Sequence, residues 1–313
     1  MQLNARITAV DGYLPEHLVT NQEMERTHGI SAEWIQARTG FEARHHAAGD
    51  ETIAYMAAEA ARKALAGAGS APDDIDLIVL ATCSATRPIP SIAPEVAARL
   101  GVPTVAAFDI VSACAGFTYA LSVAANAVHV GQVKNVLVIG SERITNWTTP
   151  SDPDVWAIFG DGAGAAVVSA AAVPGLSILA ASSDGSRRDV LAIPDGGAHI
   201  TMQGLLVYRW ATSEAPLVAQ EACRRAGLTM QDIDWFVPHQ ANLRIVDSLA
   251  VRLGFDPDRV LRDGRIHGNT SAASIPLALA SLLSSGRAHP GERALLLGFG
   301  AGLSCSALVV ALP

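Results

Sequence analysis

The chain repeats itself, and that repetition limits its fold more than any other feature. Ala71-Pro-Asp-Asp-Ile-Asp-Leu-Ile-Val-Leu80 is echoed by Thr229-Met-Gln-Asp-Ile-Asp-Trp-Phe-Val-Pro238, and each run follows a helical stretch ending near a glycine, Gly69 or Gly227. Lys134-Asn-Val-Leu-Val-Ile-Gly140 returns as Arg293-Ala-Leu-Leu-Leu-Gly298. Short, unbroken apolar runs of this kind belong to strands covered on both faces. Two such sets in order predict a duplicated α/β unit, with two central sheets and helices on their faces. The division falls near Ala170 to Pro174, which gives halves 1–172 and 173–313. With 313 residues, 50% of them hydrophobic and 17% charged, the chain can bury a large core.

Finer punctuation sets the helices. Asn21 is read as an N-cap, Ser31 opens a short helix, and an Ala-rich helix runs from Thr52 to Ala68. Val105 to Leu121 reads as a buried strand, a tight turn of small residues and an apolar helix, with Cys114 where the turn becomes the helix. A thiol on such a corner resembles a nucleophile elbow, and the helix's free N–H groups and dipole favour a thiolate there. In the second half, His239 directly follows a strand, and His267-Gly-Asn-Thr-Ser271 lies between two helices.

Bulk properties exclude several classes. A net charge of −8 gives no general attraction to nucleic acid or an anionic membrane. The four cysteines make no Cys-x-x-Cys pair or zinc spacing, so Cys83, Cys223 and Cys305 are read as small buried hydrophobes. The opening residues lack a secretory apolar stretch and no run suits a membrane helix, so the expected location is cytoplasmic. Gly160-x-Gly-x-Gly164 leads into a strand and not a helix, so it is not a dinucleotide fingerprint, and Asp161 within it is read as structural.

Several motifs together resemble the β-ketoacyl-acyl-carrier-protein synthase III family. They are Ser112-Ala-Cys-Ala-Gly-Phe-Thr-Tyr119, Phe159-Gly-Asp-Gly-Ala-Gly-Ala165, Pro238-His-Gln-Ala-Asn-Leu-Arg-Ile245 and His267-Gly-Asn-Thr-Ser-Ala-Ala-Ser274, with Glu33 to Gly40 early and Gly298-Phe-Gly-Ala-Gly302 late. The resemblance runs the length of the chain. It implies the thiolase-like fold, a five-layer α-β-α-β-α sandwich of two related halves, and a homodimer. It also implies a catalytic set of Cys114, His239 and Asn269, with no cofactor. Cys114 takes an acyl group from a thioester, usually acyl-CoA. Malonyl-acyl-carrier protein then decarboxylates, and its carbanion attacks the acyl-enzyme, initiating fatty-acid or polyketide synthesis.

Other roles come from the same likeness. The backbone N–H groups of Cys114 and Ala301 form the oxyanion hole, and Phe299 gates the site against water. Trp34 and Arg38 hold the nucleotide end of CoA, and Arg209 stands at a position that is basic in the family. Arg244 and Arg252 lie eight residues apart on the helix after His239, close to one face, and with Arg209 they are read as docking the anionic carrier protein. Ile89 stands where the family reaches into the partner's acyl pocket, often with an aromatic ring. A smaller aliphatic residue there predicts a starter longer or more branched than acetyl. Pro153, Leu205 and the run Ser304-Cys305-Ser306 depart from the family pattern. The first two remove polar CoA contacts and leave a carrier-bound acyl donor, or another CoA pose, open. Two other readings stand beside condensation: an acyltransferase of the same fold moving the acyl group to a hydroxyl or amine, and a non-catalytic partner in a heterodimer.

Overall fold

A computed structural model describes residues 3–313. The first sheet contains β1 (Asn4–Tyr13), β2 (Leu77–Ala81), β3 (Ala106–Ile110), β4 (Asn135–Glu142) and β5 (Gly162–Ala171). Its spatial order is β1-β5-β4-β2-β3, antiparallel at the first two junctions and parallel at the last two. The second sheet holds β6 (Ala180–Ser183), β7 (Trp235–Pro238), β8 (Arg293–Gly300) and β9 (Ser304–Ala311). It runs β6-β9-β8-β7, antiparallel, antiparallel, then parallel. Strand for strand this is the first sheet without its last member, the structural form of the sequence echo.

Alternation along the strands builds the layers. Ile78 and Leu80 of β2, with Leu137 and Ile139 of β4, pack under α3 (Ile53–Ala68) and α4 (Ala93–Arg99) on the outer face. Leu77, Val79, Val136 and Val138 point the other way. There they meet α5 (Gly116–His129) and α8 (Ser274–Ser284), which also pack on Val237, Leu296 and Leu308 of the second sheet. The far face of that sheet is covered by α6 (Gly204–Arg225) and α7 (Leu243–Leu253). Five layers result, with α5 and α8 sandwiched between the sheets.

Each half begins its central helix in the same way. A 3-10 turn, Ala113–Ala115 or Ser271–Ala273, precedes α5 or α8 and opens on a non-glycine residue at positive φ, Ala113 at 44° and Ser271 at 48°. The glycines ending the echoed strands make room for these corners. A Cβ on Gly140 meets the Ala272 carbonyl oxygen at 2.4 Å, and one on Gly298 meets Ala115 Cα at 2.8 Å. Each half's corner therefore lies directly on the other half's sheet.

Two local expectations are corrected. β3 is not buried: it is the outer strand of its sheet, with Phe108 39% and the following Val111 77% exposed. Asn21 is not a cap: the Thr20 hydroxyl accepts from Glu23 N–H and starts α1 (Asn21–His28). The Asn21 side chain is buried, donating to the Phe41 carbonyl and accepting from the wholly buried Arg44 guanidinium.

Candidate active site

Cys114, His239, Asn269 and Phe299 line one narrow chamber of about 90 Å³. They arrive from four corners: the turn before α5, the end of β7, the loop before α8 and β8. Gly300 lets the main chain run past the sulfur, since a Cβ there falls 3.0 Å from Cys114 Sγ. Ala301, next along, borders Cys114 in a second chamber.

The two nitrogen donors are held in defined states. His239 is buried without a carboxylate partner, and desolvation pushes its pKa down to about 3, so the ring is neutral. Its Nδ1 lies 2.7 Å from Ser274 Oγ, which also receives the Gln240 N–H at 3.4 Å. Among the described contacts Nδ1 is the one acceptor within reach of the Ser274 hydroxyl proton, so the hydroxyl donates to Nδ1 and the ring proton is assigned to Nε2. Phe299 packs edge-on against the ring at 5.3 Å. The Asn269 carbonyl oxygen accepts Ser271 N–H at 2.8 Å, so the amide NH₂ remains as donor, with only a long 3.4 Å bond to the Ala241 carbonyl.

The thiol differs from expectation. Burial pushes Cys114 up to about 12; the Ser271 hydroxyl and its own backbone N–H pull the other way, and the Glu142 carboxylate adds to the rise. Desolvation therefore outweighs the start of a helix, and the resting group is a thiol. The second chamber, about 400 Å³, meets the first at Cys114, Phe159 and Leu191, and reaches Cys83, Val111 and Ile193. Cys83 is not a plain buried hydrophobe: half-buried, its Sγ lies 3.3 Å from Glu142.

At the mouth, a cavity of about 360 Å³ is bordered by Trp34, Arg38, Asp154, Leu205, Tyr208 and Arg244, and continues past Met202 and Asn242 into the chamber. Arg38 lies 5.3 Å above the Trp34 ring and pairs with Asp154 at 2.9 Å. Arg244 donates to the carbonyls of Gln36 and Ala37. Pro153 lines this mouth, whereas Ser304 borders the second chamber. Arg209 and Arg252 are exposed on α6 and α7 and do not line the mouth; Ile89 is 81% exposed, outside both chambers of its own chain.

Asp161 accepts from Ala47 N–H, Thr145 N–H and the Thr145 hydroxyl, in keeping with a structural role. Among the described residues no group of three or more His, Cys, Asp or Glu side chains is arranged to hold a metal, and no helix is long and apolar enough to cross a membrane. Sequence reasoning missed Glu142, Ser271 and Ser274. The two serines stand inside a quoted motif, and a charged residue closing an apolar strand was the signal for Glu142.

Comparison with known proteins finds relatives along nearly the whole chain. Residues 108–185 match the family model for 3-oxoacyl-[acyl-carrier-protein] synthase III, and 223–312 match the model for its C-terminal region. The chain is 44% identical to β-ketoacyl-[acyl-carrier-protein] synthase III 2 of Streptomyces avermitilis, over 99% of both chains. It is 42% identical to β-ketoacyl-[acyl-carrier-protein] synthase III of Escherichia coli K12, over 97% of this chain and 98% of that one. Among solved structures, the priming β-ketosynthase of the R1128 polyketide biosynthetic pathway superposes with a TM-score of 0.96 at 41% identity, covering 100% of this chain and 97% of that one. The 3-oxoacyl-[acyl-carrier-protein] synthase III of Aquifex aeolicus VF5 gives 0.95 at 36% identity, covering 98% and 100%.

Proposed function

The chain belongs to the 3-oxoacyl-[acyl-carrier-protein] synthase III family, and from that premise we propose that it joins an acyl thioester to malonyl-acyl-carrier protein by decarboxylative Claisen condensation. The observation that carries this reading is one chamber in which a thiol meets two neutral N–H donors.

Cys114 sulfur attacks the thioester carbon; the C–S bond to the donor breaks, and the proton from Cys114 ends on the departing thiol. The backbone N–H groups of Cys114 and Ala301 hold the oxyanion. The malonyl group then enters and loses CO₂, and the electron pair of the broken C–C bond becomes an enolate. His239 Nε2–H and the Asn269 amide donate to its oxygen. Neutral donors suit this step, because they stabilise the developing charge without forming a tight ion pair with the malonyl carboxylate beforehand. The enolate carbon attacks the acyl carbonyl, the C–S bond to Cys114 breaks, and the departing thiolate takes a proton from solvent. Phe299 keeps water from the carbanion.

Coenzyme A and the carrier protein act as substrates, and no cofactor takes part. Trp34 and Arg38 contact the CoA nucleotide, and Arg209, Arg244 and Arg252 meet the acidic carrier protein. A cytoplasmic homodimer fits the remaining features, since the exposed outer strand β3 and the rim at Val111 need a cover. Across that dimer Ile89 borders the other protomer's acyl chamber and admits starters larger than acetyl. Residues 1–172 and 173–313 form the two halves, the first bringing the nucleophile and the second the donors.

The test separates the half-reactions. Intact-protein mass after mixing with acyl-CoA reports acylation, and CO₂ release from malonyl-carrier protein reports decarboxylation. Cys114→Ala abolishes the first, whereas Asn269→Ala acylates but decarboxylates poorly. Equal loss of both steps in Asn269→Ala overturns the assigned role, and ester formation on a hydroxylated acceptor without CO₂ release selects acyl transfer instead.

A further inference from the structure

Glu142, the last residue of β4, is wholly buried and lines neither chamber. Its carboxylate is nevertheless a crowded acceptor. From the first half it takes the Thr82 hydroxyl at 3.0 Å, Cys83 N–H at 3.1 Å, Ser84 N–H at 3.0 Å and the Ser84 hydroxyl at 2.5 Å. From the second half come the Ser271 hydroxyl at 3.0 Å and Ala272 N–H at 3.4 Å. The mechanism above gives this group nothing to do. A carboxylate buried between two halves beside a nucleophile needs a better account than general packing, because burying it is costly unless its acceptor sites are filled.

Ser271 supplies that account. Its φ of 48° is unfavourable for a residue with a side chain, so something outside the local chain must hold it. Glu142 grips its hydroxyl and the next N–H. In that pose Ser271 points its own N–H at Asn269 Oδ1, 2.8 Å away. Turning the Asn269 amide over places its NH₂ against this N–H, donor against donor. The amide is thereby fixed with nitrogen toward the chamber.

We propose that Glu142 is a positioning residue which, through Ser271, sets the orientation of the Asn269 amide and so the decarboxylation step. This rests on the reading of Asn269 as an enolate donor. Glu142→Gln keeps the size of the group but turns one acceptor oxygen into NH₂ facing donors. Ser271→Ala removes the link, along with the hydroxyl's contact with Cys83 Sγ and its pull on the Cys114 thiol, an effect that the acylation measurement reads separately. Thr82→Val removes a Glu142 contact that does not lead to Asn269.

Both half-reactions are measured for these three variants, for the Glu142→Gln/Ser271→Ala double variant and for Asn269→Ala. Glu142→Gln and Ser271→Ala each lower CO₂ release at least tenfold more than acylation. The double variant falls no further than about threefold below the worse single one, because both act on one path. Thr82→Val leaves the ratio of the two steps unchanged.

Equal losses in both steps, multiplied losses in the double variant, or a Thr82→Val ratio like that of Ser271→Ala overturns the proposal and leaves Glu142 a packing hub. Should Glu142→Gln not fold, the Ser271→Ala and Thr82→Val pair decides by the same ratio. Undiminished CO₂ release in Asn269→Ala overturns the functional reading itself. A loss there without one in Ser271→Ala overturns only the positioning role.

Discussion

Ser274 Oγ and His239 Nδ1 stand 2.7 Å apart inside the central layer, at the first turn of the helix that the second half inserts between the sheets. The pair decides which ring nitrogen carries the proton, and only a proton on Nε2 gives the chamber a donor. Ser274→Ala frees the ring to take the other tautomer. Decarboxylation should fall roughly ten- to a hundredfold, the kinetic equivalent of about 1–3 kcal/mol for an unpaired buried group. Acylation should fall much less. An unchanged rate of CO₂ release would remove Ser274 from the account.

The low pKa of His239, about 3, gives a flat pH profile. The neutral donor form persists throughout pH 5–8, so decarboxylation shows no acid limb near 6.5. Measuring CO₂ release at constant ionic strength checks this; a twofold loss centred near pH 6.5 contradicts a neutral histidine.

Stability follows the same groups with a definite sign. His239 and His46, the latter pushed down to about 4 mainly by burial and then by Arg44, titrate lower in the folded chain than in the unfolded one. Below the unfolded value near 6.5 the unfolded chain binds the extra protons. Their contribution is thus complete above about pH 6.5 and is lost as pH falls through the window toward 4. Each proton costs up to about 1.4 kcal/mol per pH unit there. Thermal melts at pH 7, 6, 5 and 4 should show a falling Tm; a Tm that holds or rises across that range contradicts the buried neutral histidines.

Cys114, at about 12, should react with iodoacetamide slowly at pH 7 and roughly tenfold faster per pH unit up to pH 10. Glu142 raises this thiol and Ser271 lowers it. Glu142→Gln therefore moves the alkylation curve to lower pH and Ser271→Ala to higher pH. A plateau near pH 8 in the parent protein contradicts the buried thiol, and shifts of the same sign contradict the opposed roles.

At the mouth, the Arg38–Asp154 pair occupies the guanidinium assigned to CoA. Asp154→Ala releases it and should lower the KM for acyl-CoA about threefold, in line with the modest value of an exposed pair. The KM for an acyl-pantetheine lacking the nucleotide should not change. Equal effects on both donors would mean that Arg38 does not meet the nucleotide end.

Much of this was legible in the chain. The echoed runs foretold two sheets of one plan, because strands covered on both faces leave an unbroken apolar signature. The glycines closing those runs carried more than was read from them: Gly140 and Gly298 admit the opposite half's corner, a contact between residues far apart in sequence. The family motifs named Cys114, His239 and Asn269. They did not reveal Ser274 or Glu142 as partners, since a hydroxyl's or carboxylate's neighbours are set by tertiary packing. The exposure of β3 was hidden because an apolar strand at the edge of a sheet reads like one in its middle. The thiol's state departs from the sequence expectation because helix position is visible in sequence and desolvation is not.

The two chambers meet at Cys114, and if they hold the two substrates as proposed, that junction sets an order of occupancy. On the proposed reading, a starter must slide wholly into the rear room before a malonyl arm can occupy the front one, of about 90 Å³. A starter too long for the rear room can still be loaded, but its tail then lies where the next substrate belongs. Such a chain does not simply turn over slowly. It arrests the protein as a stable acylated species, so the selection of starter length is exercised after the first covalent bond has formed, as a failure to proceed and not as a refusal to bind.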